Sequence, residues 1–110
     1  MNTTTTTRKV RALVDFRPTE YRSDGHVEHY LGQIVSPNSG PIIDQQTGNT
    51  SPRYICRIDR IDPRDGSEVQ WRLLTQGAHN GSRRYRTGTL IEMIEAAEKW
   101  VARRFYSEPF

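Results

Sequence analysis

The residues best suited to chemistry cluster in Arg83-Arg84-Tyr85-Arg86, which runs through Thr87 and Gly88 to Thr89. Guanidinium groups present planar donor forks that match phosphate or carboxylate oxygens. The run leads into a stretch that reads as a helix from Thr89. A helix N-terminus offers unpaired backbone N–H groups and partial positive charge, so it favours anions. The pattern therefore predicts an anion site, with nucleic-acid phosphate as the natural ligand and Tyr85 able to stack or hydrogen-bond. Glu92 opposes this, because Thr89 and Glu92 have the spacing of a capping box and the carboxylate would occupy part of the same field. A plainer reading makes the run a solvated basic loop whose arginines meet nearby acids.

Other chemistries find little support. His26 and His29 stand three apart in a strand-like stretch, so their rings point to opposite faces, and no metal is expected there. The single cysteine, Cys56, sits among apolar residues; it cannot form an intrachain disulfide or a cysteine-based zinc site. His79 has no recognisable nucleophile beside it. Phosphate-cradling glycine loops are missing. The expectation is a non-enzymatic protein without a cofactor.

Among the elements that would hold the site, the C-terminal helix is the clearest. Leu90, Ile94, Ala97, Val101 and Phe105 recur at helical spacing, flanked by Ile91, Met93 and Trp100. Glu92 early and Arg103-Arg104 late agree with the helix dipole. Gly88 would let the chain turn sharply, and Pro109 would end the helix.

Four strands precede it. Residues 8–17 alternate, with Val10, Ala12, Val14 and Phe16 inward and Lys9, Arg11, Leu13, Asp15 and Arg17 outward; Pro18 closes the strand. After a turn at Gly25, residues 26–35 form a second strand with Val27, His29 and Leu31 on one face. A bulge near Gly32 would return Ile34 to the core. Residues 53–62 and 68–75 make a hairpin around Asp65-Gly66, with Tyr54, Cys56, Ile58, Val69, Trp71 and Leu73 inward. The Pro- and Gly-punctuated segment 36–52 is expected to be a long loop, mobile or functional, with Ile42 and Ile43 either pinning its middle to the body or forming an exposed contact for a partner. The fold class predicted is α+β: a four-stranded antiparallel meander, β-β-β-β-α, with the helix on one face. Residues 1–7 form a disordered Thr-rich tail before a single domain at 8–110.

The chain has 110 residues, 16 basic and 13 acidic, for a net charge of +3. Its pI is near 9.4 and its mean hydropathy is −0.80. This permits nucleic-acid contact without requiring it. No apolar run approaches membrane-spanning length, and a cytoplasmic monomer or homodimer is expected. The uncovered sheet face would carry Lys9, Arg11, Arg57 and Arg72 with Tyr30, extending the footprint of Arg83, Arg84, Tyr85, Arg86 and Thr89. Asp15, Glu28 and Asp59 interrupt it. The alternative is a protein-binding adaptor or inhibitor, using Ile42 and Ile43 in the long loop or Leu13 and Leu74 on the sheet.

Overall fold

The structure, a computed structural model, describes residues 9–76 and 83–108, without the side chains at 76 and 83–85. The expected tail at 1–7, the loop holding His79, and Pro109 with Phe110 lie outside the described residues. The architecture is α+β with antiparallel sheets and one C-terminal helix. The single four-stranded meander is corrected to two sheets. Strands β2 (Leu13–Tyr21), β3 (Val27–Val35), β5 (Tyr54–Ile61), β6 (Gln70–Gln76) and β7 (Arg83–Gly88) form a five-stranded sheet in the order β2-β3-β5-β6-β7. Strands β1 (Val10–Arg11), β8 (Phe105–Ser107) and β4 (Ile42–Asp44) form a second sheet with β8 in the middle. Helix α1 spans Leu90–Arg104.

The expected meander survives as β2-β3-β5-β6 within the larger sheet. The segment that composition marks as a basic loop is its fifth strand: β7 pairs with β6 from Trp71↔Gly88 to Gln76↔Arg83. The open edge of β6 supplies partners for the backbone of an arginine-rich segment that has no apolar alternation of its own. Pro18 lies inside β2 instead of ending it. It is tolerated there because β2 is an edge strand with register shifts beside the proline.

One register fixes which face is buried. Val14 pairs with Ile34 and Phe16 with Gly32, while Tyr30, Ile58, Leu73 and Arg86 lie in one row across β3, β5, β6 and β7. Ala12, Val14 and Phe16 thus share the helix side with Tyr30, Gly32 and Ile34. The expectation that Val27, His29 and Leu31 supply the core face of β3 is reversed. Gly32 is where the sheet closes most tightly: a Cβ there would meet Cys56 Sγ at 2.4 Å and Phe16 Cε1 at 2.8 Å. Gly25, by contrast, is needed for its turn, with φ of 89°.

The bulge expected in β3 is not there, since Ile34 shares the face of Tyr30 and Gly32 directly; the irregularity beside Gly32 has its extra residue in β5. Gly32 pairs with Cys56 and Gln33 with Tyr54, so Ile55 has no opposite number. Ile55 and Cys56 are both buried. Burial pushes the Cys56 thiol up to about 12.

Helix α1 buries Met93, Ala97 and Val101, with Leu90, Ile94, Ala96 and Trp100 packed beside them. Ala97, Val101 and Phe105 of the predicted stripe are buried, Met93 from its flank joins them, Leu90 and Ile94 are half-buried, and Ile91 is 69% exposed. The helix stops one residue short of Phe105, whose backbone is extended and continues as β8. Phe105 still reaches the core, and Trp100 meets its ring edge-on at 5.3 Å. Trp71 packs near Tyr30, with centroids 5.8 Å apart.

The 36–52 segment is anchored at Ile42 and Ile43, the first of the two alternatives open to them. Its middle, β4, pairs with β8 through Ile42↔Ser107, Ile43↔Tyr106 and Asp44↔Phe105. Ser107 is fully buried and its hydroxyl engages Ser36 and Asn38. Arg104 holds Asp44 by two hydrogen bonds, Nε to Oδ1 at 3.0 Å and Nη2 to Oδ2 at 2.8 Å.

The capping box at the start of α1 is present: Glu92 N–H donates to Thr89 Oγ1 at 3.1 Å and Thr89 N–H to Glu92 Oε1 at 2.9 Å. Replacing Thr89 by alanine is expected to cost about 1 kcal/mol of unfolding free energy, measured by urea titration. No change would mean that the cap is redundant with the packing of Met93.

Candidate nucleic-acid interface

The helix N-terminus is partly engaged by its own capping box. Glu92 Oε1 takes the Thr89 N–H and Thr89 Oγ1 takes the Glu92 N–H, so the box uses two of the donors, and the Thr89 hydroxyl, that an anion would meet. Gly88 serves this arrangement by lacking a side chain: a Cβ there would lie 2.6 Å from Glu92 Oε1. Arg83, Arg84 and Tyr85 lie in β7 across from Gln76, Thr75 and Leu74, and their side chains lie outside the described residues. Arg86 is exposed on the same edge strand.

Lys9 and Arg11 do not belong to the open face of the five-stranded sheet. Arg11 sits in β1 of the small sheet, across from Tyr106, and Lys9 approaches Glu108 at 3.7 Å. The kink that separates them from β2 is at Ala12, which is buried and donates its N–H to Phe105 O at 3.2 Å. Tyr30, also expected on that face, packs on the core instead. Ile42 and Ile43 are half-buried in β4, so they do not form the exposed contact that a free loop would have offered.

Arg57 and Arg72 are on the open face, and they converge on one carboxylate. His29, Asp59, Arg72 and Thr87 form a row across β3, β5, β6 and β7, next to the row of Arg17, Leu31, Arg57, Leu74 and Tyr85. The Asp59 side chain is only 5% exposed. Oδ1 lies 2.8 Å from Arg57 Nε and 2.6 Å from His29 Nδ1, and Oδ2 accepts from Arg57 Nη2 at 3.1 Å. Arg72 Nη2 stands 3.6 Å from Oδ2. Glu20 faces the other ring nitrogen of His29 at 3.2 Å. A carboxylate this buried needs such partners to offset its lost hydration. The arginines remain open to solvent, with side chains 48% and 41% exposed.

Toward the other end of the face the surface turns apolar. Leu13 and Val35 are directly paired and exposed by 57% and 36%. Tyr54 is 46% exposed, and the Arg53 guanidinium lies over its ring at 5.6 Å from the centroid. The Gln33 amide faces Arg53, and with its oxygen turned to the guanidinium it accepts from Nε at 3.0 Å and Nη2 at 3.2 Å. A depression of about 220 Å³ opens between Tyr54, Leu31, Ile55, Arg57 and Leu74, with Cys56 and Thr75 also lining it.

Sequence alternation places Tyr54 inward beside Cys56 and Ile58. The unpaired Ile55 breaks that alternation and brings Tyr54 into line with Gln33 instead. Arg57 and Asp59 can be joined from sequence, since residues two apart in a strand share a face. His29 completes the group only through a register that the sequence does not reveal.

Among the described residues, no helix is long and apolar enough to cross a membrane, and no group of three or more histidine, cysteine, aspartate or glutamate side chains could hold a metal ion. The chain matches no known protein family, curated protein or solved structure in any of the three comparisons.

Proposed function

We propose that the protein is a nucleic-acid-binding module whose contact surface is the uncovered face of the five-stranded sheet. The observation that carries this reading is the placement of Tyr54. It stands exposed beside a depression, with Arg53 over its ring and Arg57 on the rim. An aromatic and guanidinium groups on an open sheet suit a ligand with flat apolar rings and anionic links between them. Arg17 lies in the row of Leu31 and Arg57, and Arg72 in the next one, so further cations stand near the depression on this face. Asp15 and Glu20 reduce the positive field, so affinity rests on a few specific interactions rather than on bulk charge.

The test is fluorescence anisotropy of a labelled oligonucleotide across a salt series. Binding should fall as salt rises. The Arg53→Ala/Arg57→Ala double variant should flatten the slope of log affinity against log salt by roughly 0.7–0.9 for each phosphate that it no longer neutralises. Unchanged affinity and slope in that variant would exclude this surface.

A second reading follows from Leu13 and Val35. Paired exposed apolar residues next to tyrosine and arginine also describe the centre of a protein-binding patch. Leu74, half-buried at the depression, would join them. Such binding would tolerate salt and would survive nuclease treatment in a pull-down, whereas the nucleic-acid reading requires the opposite.

A further inference from the structure

Building on the reading just given, we infer that the ligand is a single strand, with one unpaired base laid against Tyr54 and reaching toward the depression. A duplex keeps its bases stacked inside and turns phosphates outward. Against this face it would bring anions and water onto Leu13, Val35, Leu31 and Leu74, which offer them nothing. A single strand exposes flat apolar base surfaces between its phosphates, and these match alternating aromatic, aliphatic and cationic positions.

The geometry is specific about where the base goes. Arg53 covers one side of the Tyr54 ring, so the base takes the other. Leu31, Ile55 and Leu74 supply the apolar part of a lining to which Arg57 and Thr75 add polar atoms, with room for one ring system. Arg57 fixes the adjoining phosphate. Its Nε and Nη2 are held by Asp59, which points the guanidinium and leaves Nη1 without a protein partner among the described residues. Asp59 also offsets part of the positive charge of that guanidinium.

The experiment compares a labelled oligothymidylate with a duplex of equal length, against wild type, Tyr54→Ala and Tyr54→Phe. Tyr54 is exposed, so both variants should fold, and circular dichroism checks this. The expected result is preference for the single strand in the wild type. Tyr54→Ala should weaken that binding roughly ten- to a hundredfold, and Tyr54→Phe should retain it, because the ring face is kept. Equal binding of single strand and duplex, with Tyr54→Ala unaffected, would overturn the inference while leaving the phosphate-binding reading intact. Absence of binding to either probe, or salt-tolerant capture of one protein in their place, would overturn both.

Discussion

Arg104→Ala is expected to lower the unfolding free energy by about 3–5 kcal/mol, the range for breaking a buried ion pair from one side. Arg104 and Asp44 side chains are 13% and 10% exposed, so the carboxylate left behind would have little water to turn to. The arginine also lies over the rings of Trp100 and Phe105, each at 5.5 Å, and its loss removes that packing too. Its own carbonyl accepts from Gln45 N–H, which ties the strand-bearing segment to the helix end a second time. For a domain of this size the melting temperature should fall by more than about 10 °C. Acid should act in the same direction. Burial pushes the Asp44 carboxyl up, but the hydrogen bond from Arg104 and the N–H of Gln46 outweigh it, so its net shift is downward. A carboxyl lowered by folding contributes stability above its unfolded value of about 3.9, and that contribution disappears as pH falls through the folded value. Urea titrations should therefore show wild type and Arg104→Ala converging as the solution is acidified below about pH 4. A stability change under about 1 kcal/mol at neutral pH would contradict the assignment of this pair as the anchor of β4.

Asp59→Asn should move stability and binding in opposite directions. The amide cannot satisfy His29 and two guanidinium groups as the carboxylate does. The loss of a buried charged acceptor costs about 1–3 kcal/mol. The lower part of that range is expected, because Arg57 and Arg72 are each partly solvated and water already screens them. Removing one negative charge from beneath the cations should at the same time tighten nucleic-acid binding and steepen its salt dependence. Denaturant titration and anisotropy on the same sample measure both. If stability falls and affinity falls with it, Asp59 orients the arginines more than it neutralises them. If affinity is unchanged, Arg57 and Arg72 touch no phosphate and the proposed surface loses its cationic half.

The parts of the fold legible in the sequence are those fixed by local rules. Thr89 and Glu92 announce the helix start because the capping box is a four-residue device. The Asp65-Gly66 turn announces its hairpin for the same reason. What stays hidden depends on partners far along the chain. Arg83–Gly88 has no strand pattern and becomes a strand because β6 offers it an edge. Ile42–Asp44 is too short to be recognised alone and is defined by residues some sixty positions later. The candidate site is half legible. Arg57, Arg72, Leu13 and Leu74 lie on the open face as alternation has them, since the period of two holds across β2, β5 and β6 there. Tyr54 escapes the same rule because a single bulged residue inverts alternation for everything on its far side. At the helix entrance the carboxylate that makes the helix start so recognisable also takes one backbone donor and places negative charge there.

The small sheet also constrains the order of assembly. Its middle strand comes from residues 105–107, while its flanks come from residues 10–11 and 42–44, so its closing pairings span nearly the whole described chain. Pairings this distant are slow to form, because the intervening chain must be ordered or looped out first. On the ribosome, both flanks emerge long before the strand that unites them. The clasp can shut only after the helix before it has been made, so residues 105–107 complete the tertiary structure rather than begin it.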